Sequence, residues 1–130
     1  MAHGSFVWNE LMTPDVEKAK AFYGAALGWT FEPMPGPHGS TYWIAKMGDK
    51  PVGGVMSLDA LPPGAPTAWF PYIEVDDVDA RAAALPAHGG ALARPAFDIP
   101  GIGRIAIVQD ATGAMVGWMT PATLCRPAAA

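Results

Sequence analysis

Across residues 6–12 apolar and polar positions alternate with a period of two. Val7 and Leu11 fall on one face, and Trp8, Glu10 and Met12 on the other, which is the pattern of a strand. After Pro14 the period changes. Val16, Ala19, Phe22 or Tyr23, Ala26 and Leu27 recur at helical spacing, with Glu17, Lys18 and Lys20 off that face, so a helix follows the strand. Thr13 is placed to cap this helix, Pro14 to take its first position and Gly28 to stop it. Residues 29–32 read as a short strand and 33–40, dense in Pro and Gly, as a loop. Residues 41–47 and 51–58 read as strands around a hairpin turn at Gly48-Asp49-Lys50.

The same order of patterns then returns. Residues 68–75 alternate again, with Ile73 and Val75 on one face and Phe70, Tyr72 and Glu74 on the other. An alanine-rich helix is expected over 77–85, ending near Pro86. Strands over 91–94, 104–109 and 114–119 complete the series, with a loop at 97–103 and a turn at Asp110-Ala-Thr-Gly113. Trp8 falls on Phe70, Asp15-Val16 on Asp77-Val78, and Gly28 on Gly90, all at a constant offset of 62 residues. An offset near half the chain length points to two copies of one β-α-β-β-β unit. The boundaries implied are a disordered N-terminus at 1–5, then a single domain at 6–120 and a tail at 121–130. Within the domain, module one spans 6–58, a linker 59–67 and module two 68–120.

Composition narrows the function classes. With 130 residues, 51% of them hydrophobic, the chain can bury a core of single-domain size. The net charge is −4 and the eight Lys and Arg are scattered singly, so there is no basic stripe for nucleic acid. No apolar run approaches the roughly 18 residues a membrane span needs, and no signal layout precedes residue 6, so the expected location is cytoplasmic. Cys125 is the single cysteine, which excludes an internal disulfide and reads as tail, not chemistry.

The motifs Phe22-Tyr23-Gly24-Ala-Ala-Leu27-Gly28-Trp29, Val75-Asp76-Asp77-Val78 and Asp110-Ala-Thr-Gly113, set in a doubled β-α-β-β-β order, resemble the vicinal oxygen chelate superfamily. Its members include glyoxalase I, the extradiol dioxygenases and the bleomycin-resistance proteins. The resemblance covers about residues 6–120. It implies an α+β fold of two βαβββ modules forming a cupped mixed sheet with helices outside, a ligand in the cup, and a homodimer. Metal-dependent members place His or Glu at four positions, near the start of the first and fifth strands and on the fourth and last strands. Here those positions hold Trp8, Phe70, a residue between Gly54 and Met56, and Gly117. None offers a ligand, so no metal and no cofactor is expected.

What remains for the inward faces is an aromatic and carboxylate set. Trp8, Trp43, Phe70 and Tyr72, with Met56 and Met119, are candidate walls for an organic ligand. Glu10 and Glu74 share strand faces with aromatics and are candidates for meeting a polar or cationic group, or for acting as a general base. Arg104 and Gln109 read as edge polar groups. His3, His38 and His88 have no ligand-motif spacing, and only His38 lies in a loop that could close over a pocket. The expected function is metal-free binding of a small apolar or aromatic organic molecule, in the manner of the bleomycin-resistance-like members. The alternative is a glyoxalase- or dioxygenase-like enzyme with non-standard or missing metal ligands.

Overall fold

The computed structural model describes residues 3–36, 39–60, 63–99 and 102–122. His38 and Cys125 lie outside them. The described residues carry eight strands and two α-helices in the order β1 Phe6–Thr13, α1 Val16–Leu27, β2 Thr30–Pro35, β3 Thr41–Met47, β4 Lys50–Ser57, β5 Ala68–Glu74, α2 Val78–Ala83, β6 Ala91–Ile99, β7 Gly103–Gln109 and β8 Met115–Pro121. This is an α+β fold of two βαβββ modules. The chain divides into two compact units, Trp8–Phe70 and Met1–Val7 with Pro71–Ala130, so the boundaries fall inside β1 and β5. No described helix is long and apolar enough to cross a membrane.

In the unit Trp8–Phe70 the strand order is β2-β3-β4-β1. β3 runs antiparallel to β2 and β4, whereas β1 lies parallel to β4 with Glu10 opposite Gly54 and Met12 opposite Met56. Asp15 caps α1, its carboxylate accepting the Lys18 N–H, while Thr13 Oγ1 accepts the Asp15 N–H. The cap is therefore Asp15 and not Thr13. Proline at 14 forces an extended turn before the helix and leaves the first free carboxylate at 15 to meet the open amides. Gly28 ends α1 at φ 76°, a left-handed conformation that glycine adopts without steric cost. β2 continues through Pro33 and Pro35, where a loop is expected from composition. It is the outer strand of its sheet, and an outer strand has one row of amides with no partner, which is where proline costs no ladder bond.

The second unit repeats the arrangement as β5-β8-β7-β6, with β5 parallel to β8 and β7 antiparallel to β8 and β6. Here Asp77 is the cap, accepting the Ala80 N–H. α2 is shorter than its pattern suggests, because Pro86 sits in a separate 3₁₀ turn, Leu85–His88. β6 extends through Pro95 and Phe97, again an outer strand, with its register broken between Arg94 and Phe97. Val75, Val78, Leu85, Ala106 and Val108 form the buried core, with Ala82, Ala96, Val116 and Trp118 packed around it. Buried Thr120 ties the strand to the helix start, its hydroxyl accepting the Val78 N–H at 2.9 Å and donating to the Val75 carbonyl at 2.9 Å. Of the N-terminal residues, Gly4 donates to the Glu74 carbonyl, Ser5 accepts the Glu74 N–H, and His3 Nδ1 accepts the Asp76 N–H.

Candidate functional site

Strand alternation and register decide which side chains share a face. In the unit Trp8–Phe70, Trp8, Glu10 and Met12 on β1 lie on the same side as Gly54 and Met56 on β4 and Tyr42 on β3. Tyr42 reaches across β4. A Cβ built on Gly54 would run into the Tyr42 ring and hydroxyl, and that hydroxyl accepts the Trp8 Nε1–H at 2.9 Å. The glycine thus gives the tyrosine room to lie flat on the sheet and meet a tryptophan two strands away. Glu10 is half-buried and directly opposite that glycine, Met56 is buried, and Phe70, at the end of the unit, is half-buried.

Trp43 departs from the expectation of an inward aromatic. Its Cα partner is Val55, which places it on the opposite face from Tyr42, and Lys20 Nζ of α1 stands 3.2 Å above its ring centroid. Trp43 is the aromatic expected inward from the sequence, and Tyr42, its neighbour in the chain, takes the face of Gly54 instead. Gly53 and Gly54 of the neighbouring strand fall on opposite faces, so only the register with β4 separates the two aromatics.

The second unit has the same device built from different residues. Tyr72 on β5 is the Cα partner of Gly117 on β8, and a Cβ at 117 would meet the Tyr72 ring. Glu74 and Met119 are the next pair along, followed across the sheet by Ile105. Tyr72, Met119 and Ile105 are all buried. Glu74 is only 3% exposed, and its Oε1 is a buried side-chain oxygen with no hydrogen-bond partner. Buried polar atoms are nearly always paired, so an unpaired carboxylate oxygen marks a position that needs an explanation beyond packing. Arg104 belongs to the helix side, bound to Asp79 at 2.8 Å and Asp98 at 3.2 Å, and Gln109 donates to the Gly113 carbonyl. Neither bears on the site.

The comparisons with known proteins agree with this fold. A model described as bleomycin resistance protein-like N-terminal matches residues 5–39. The chain is 41% identical over 119 residues to CFP32 of Mycobacterium tuberculosis, whose provisional name places it among the glyoxylases; the match covers 92% of this chain and 45% of that protein. It is 29% identical over 125 residues to the anthracycline biosynthesis protein DnrV of Streptomyces peucetius, covering 87% of this chain and 46% of that one. The chain spans about half the length of these curated relatives. Methylmalonyl-CoA epimerase from M. tuberculosis superposes with a TM-score of 0.65 at 19% identity, over 94% of this chain and 93% of that one.

The family model, the relatives and the solved structures alike indicate the vicinal oxygen chelate superfamily. The residues of this chain do not fit the superfamily's usual metal. Trp8 and Phe70 carry no suitable donor, and the glycines at 54 and 117 are covered by Tyr42 and Tyr72. Among the described residues no group of three or more His, Cys, Asp or Glu could hold an ion.

Proposed function

We propose that this superfamily member holds a small apolar or aromatic organic molecule against its sheet faces and does so without the superfamily's divalent ion. The observation that carries the reading is the pair of tyrosines laid over glycines, Tyr42 on Gly54 and Tyr72 on Gly117. Where metal-dependent relatives would present ligands, each unit presents flat aromatic surface, the first edged by Trp8, Met56 and Phe70 with Glu10 as its polar group, the second edged by Met119 with Glu74. Aromatic walls with a few convergent polar atoms suit an organic ligand. Binding and sequestration, with no covalent step, is the mechanism these groups support. The two modules are read as copies of one unit on the same grounds, since Glu10 faces Gly54 as Tyr72 faces Gly117. A homodimer in the cytoplasm, twice 13.6 kDa in native mass, completes the proposal.

A second reading has one observation in its favour. The desolvated Glu74 carboxylate has the surroundings of a proton-abstracting base, which suits a lyase or isomerase of the glyoxalase kind more than a dioxygenase.

The test is a screen of small aromatic compounds by thermal shift, paired with native mass spectrometry. A ligand present at 100 times its Kd stabilises the fold by about 2.7 kcal/mol, and that shift is expected to vanish in Trp8→Ala/Tyr72→Ala. A screen in which no compound shifts the wild type, or in which the double variant responds equally, overturns the binding reading. Chemical conversion of a hit would decide for the enzyme.

A further inference from the structure

The Glu74 main chain is placed with little freedom. Its backbone N–H donates to the Ser5 carbonyl at 2.8 Å, its carbonyl accepts the Gly4 N–H at 2.7 Å, and the next residue's N–H donates to the Met119 carbonyl at 2.8 Å. The strand is thereby fixed on both sides at this residue, and the side chain leaves it onto the face shared by Tyr72, Met119 and Ile105. Among the described residues of the unit, that face supplies no countercharge. The described arginines of the unit are all engaged elsewhere: Arg81 in a two-bond pair with Asp76, Arg104 with Asp79 and Asp98, and Arg94 over the Phe97 ring at 4.1 Å. His3 is turned to Asp76. Residues 71–122 contain no lysine.

A carboxylate withdrawn from water and given no partner is costly to the fold, and natural proteins keep such groups chiefly where something else completes them. A neutral donor would satisfy the hydrogen bond alone. A cation satisfies the bond and the charge together, and it gains most where the dielectric is low. We infer that this face binds an organic cation, a protonated amine carried on an aromatic or apolar body, with the ammonium donating to Glu74 Oε1 and the body lying against Tyr72. Entry needs a side chain to turn aside, and Met119, the neighbour of Glu74 across the strand pair, has the unbranched thioether chain that does so cheaply. This inference deepens the binding reading above and rests on it.

The experiment compares three probes that share one body and differ in head group: 2-phenylethylammonium, 2-phenylethanol and phenylacetate. Affinity is measured by calorimetry, and the site by NMR shifts of the Met119 methyl and the Tyr72 ring. The expected order is ammonium tightest by roughly ten- to a hundredfold over the alcohol, with the carboxylate weakest. In Glu74→Gln, which keeps the shape and removes the charge, the ammonium should fall to the affinity of the alcohol while the alcohol changes little. The wild-type order stands as evidence even if that variant folds poorly. Equal binding of ammonium and alcohol at this face overturns the cation inference and leaves the organic-ligand reading intact, because a site completed by water or by a neutral donor has no preference for charge. Absence of any shift at Met119 and Tyr72 with all three probes overturns both.

Discussion

The two helices start alike and end differently. Asp15 and Asp77 cap them with the same bond, from the amide three residues on. α2 then buries Val78 and, through the turn that follows, Leu85 into the core. α1 buries nothing. Phe22 is 60% exposed and Leu27 49%. The first helix is fastened instead by surface aromatics: Tyr23 stacks on Trp29 at 5.1 Å, Trp69 meets Tyr23 edge-on and donates to its hydroxyl at 3.1 Å, and Lys20 caps Trp43. Each such contact contributes about 0.5–1.5 kcal/mol. Helical spacing of apolar residues therefore says that a face exists, and the neighbouring strands decide whether it is buried.

The largest expected effect lies in the second module. Leu85→Ala should cost about 2–5 kcal/mol by lost burial and cavity, against less than about 1 kcal/mol for Leu27→Ala, both read by urea unfolding. Equal costs would mean that α1 is covered in solution and would remove the contrast. Next are the glycines. Gly54→Ala and Gly117→Ala should each cost about 1–3 kcal/mol by overpacking against the tyrosine, and removing the ring in Gly117→Ala/Tyr72→Ala should abolish that penalty; strictly additive costs would show that the ring does not rest there. Tyr42→Phe, which leaves the Trp8 Nε1–H unpaired, should cost about 1 kcal/mol and alter the Trp8 emission. Asp15→Ala and Asp77→Ala should cost about 1 kcal/mol each, and a difference well beyond that between them would break the likeness of the caps.

The smallest effect is on acid stability. The Arg81 guanidinium holds the Asp76 carboxyl down to about 2 from 3.8. A group lowered on folding adds stability above its unfolded value and loses it as pH falls through its folded value. An acid titration should thus show a loss between pH 4 and about 2 that Arg81→Ala abolishes. Because Asp76 is exposed, the step should shrink in high salt.

Much of this was legible from patterns alone. The two strand–helix starts, the turn at Gly48-Asp49 and the Asp110-Ala-Thr-Gly113 turn, in which Asp110 Oδ1 gathers Thr112 and Ala114, follow from residue chemistry that acts locally. What escaped were properties set by a neighbouring strand. Pro33 and Pro35 read as loop, and the strand expected over 91–94 stops short of Pro95, because a single chain does not say which strands are outermost. Trp43 is the aromatic expected inward, and only the register with Val55 and Gly54 shows that Tyr42 takes that face. Alternation placed Glu74 on the face of Tyr72, but nothing in the sequence said that its oxygen would lack a partner.

The proposed binding mode sets aromatic rings over glycine where metal-dependent members carry ligands. The most direct test is elemental analysis of protein purified without chelator or metal-affinity resin, followed by calorimetric titration with Zn²⁺, Ni²⁺, Mn²⁺ and Fe²⁺. The account predicts metal far below one equivalent and no saturable heat. About one tightly bound divalent ion per chain, in the manner of a site closed by several protein ligands, would contradict it.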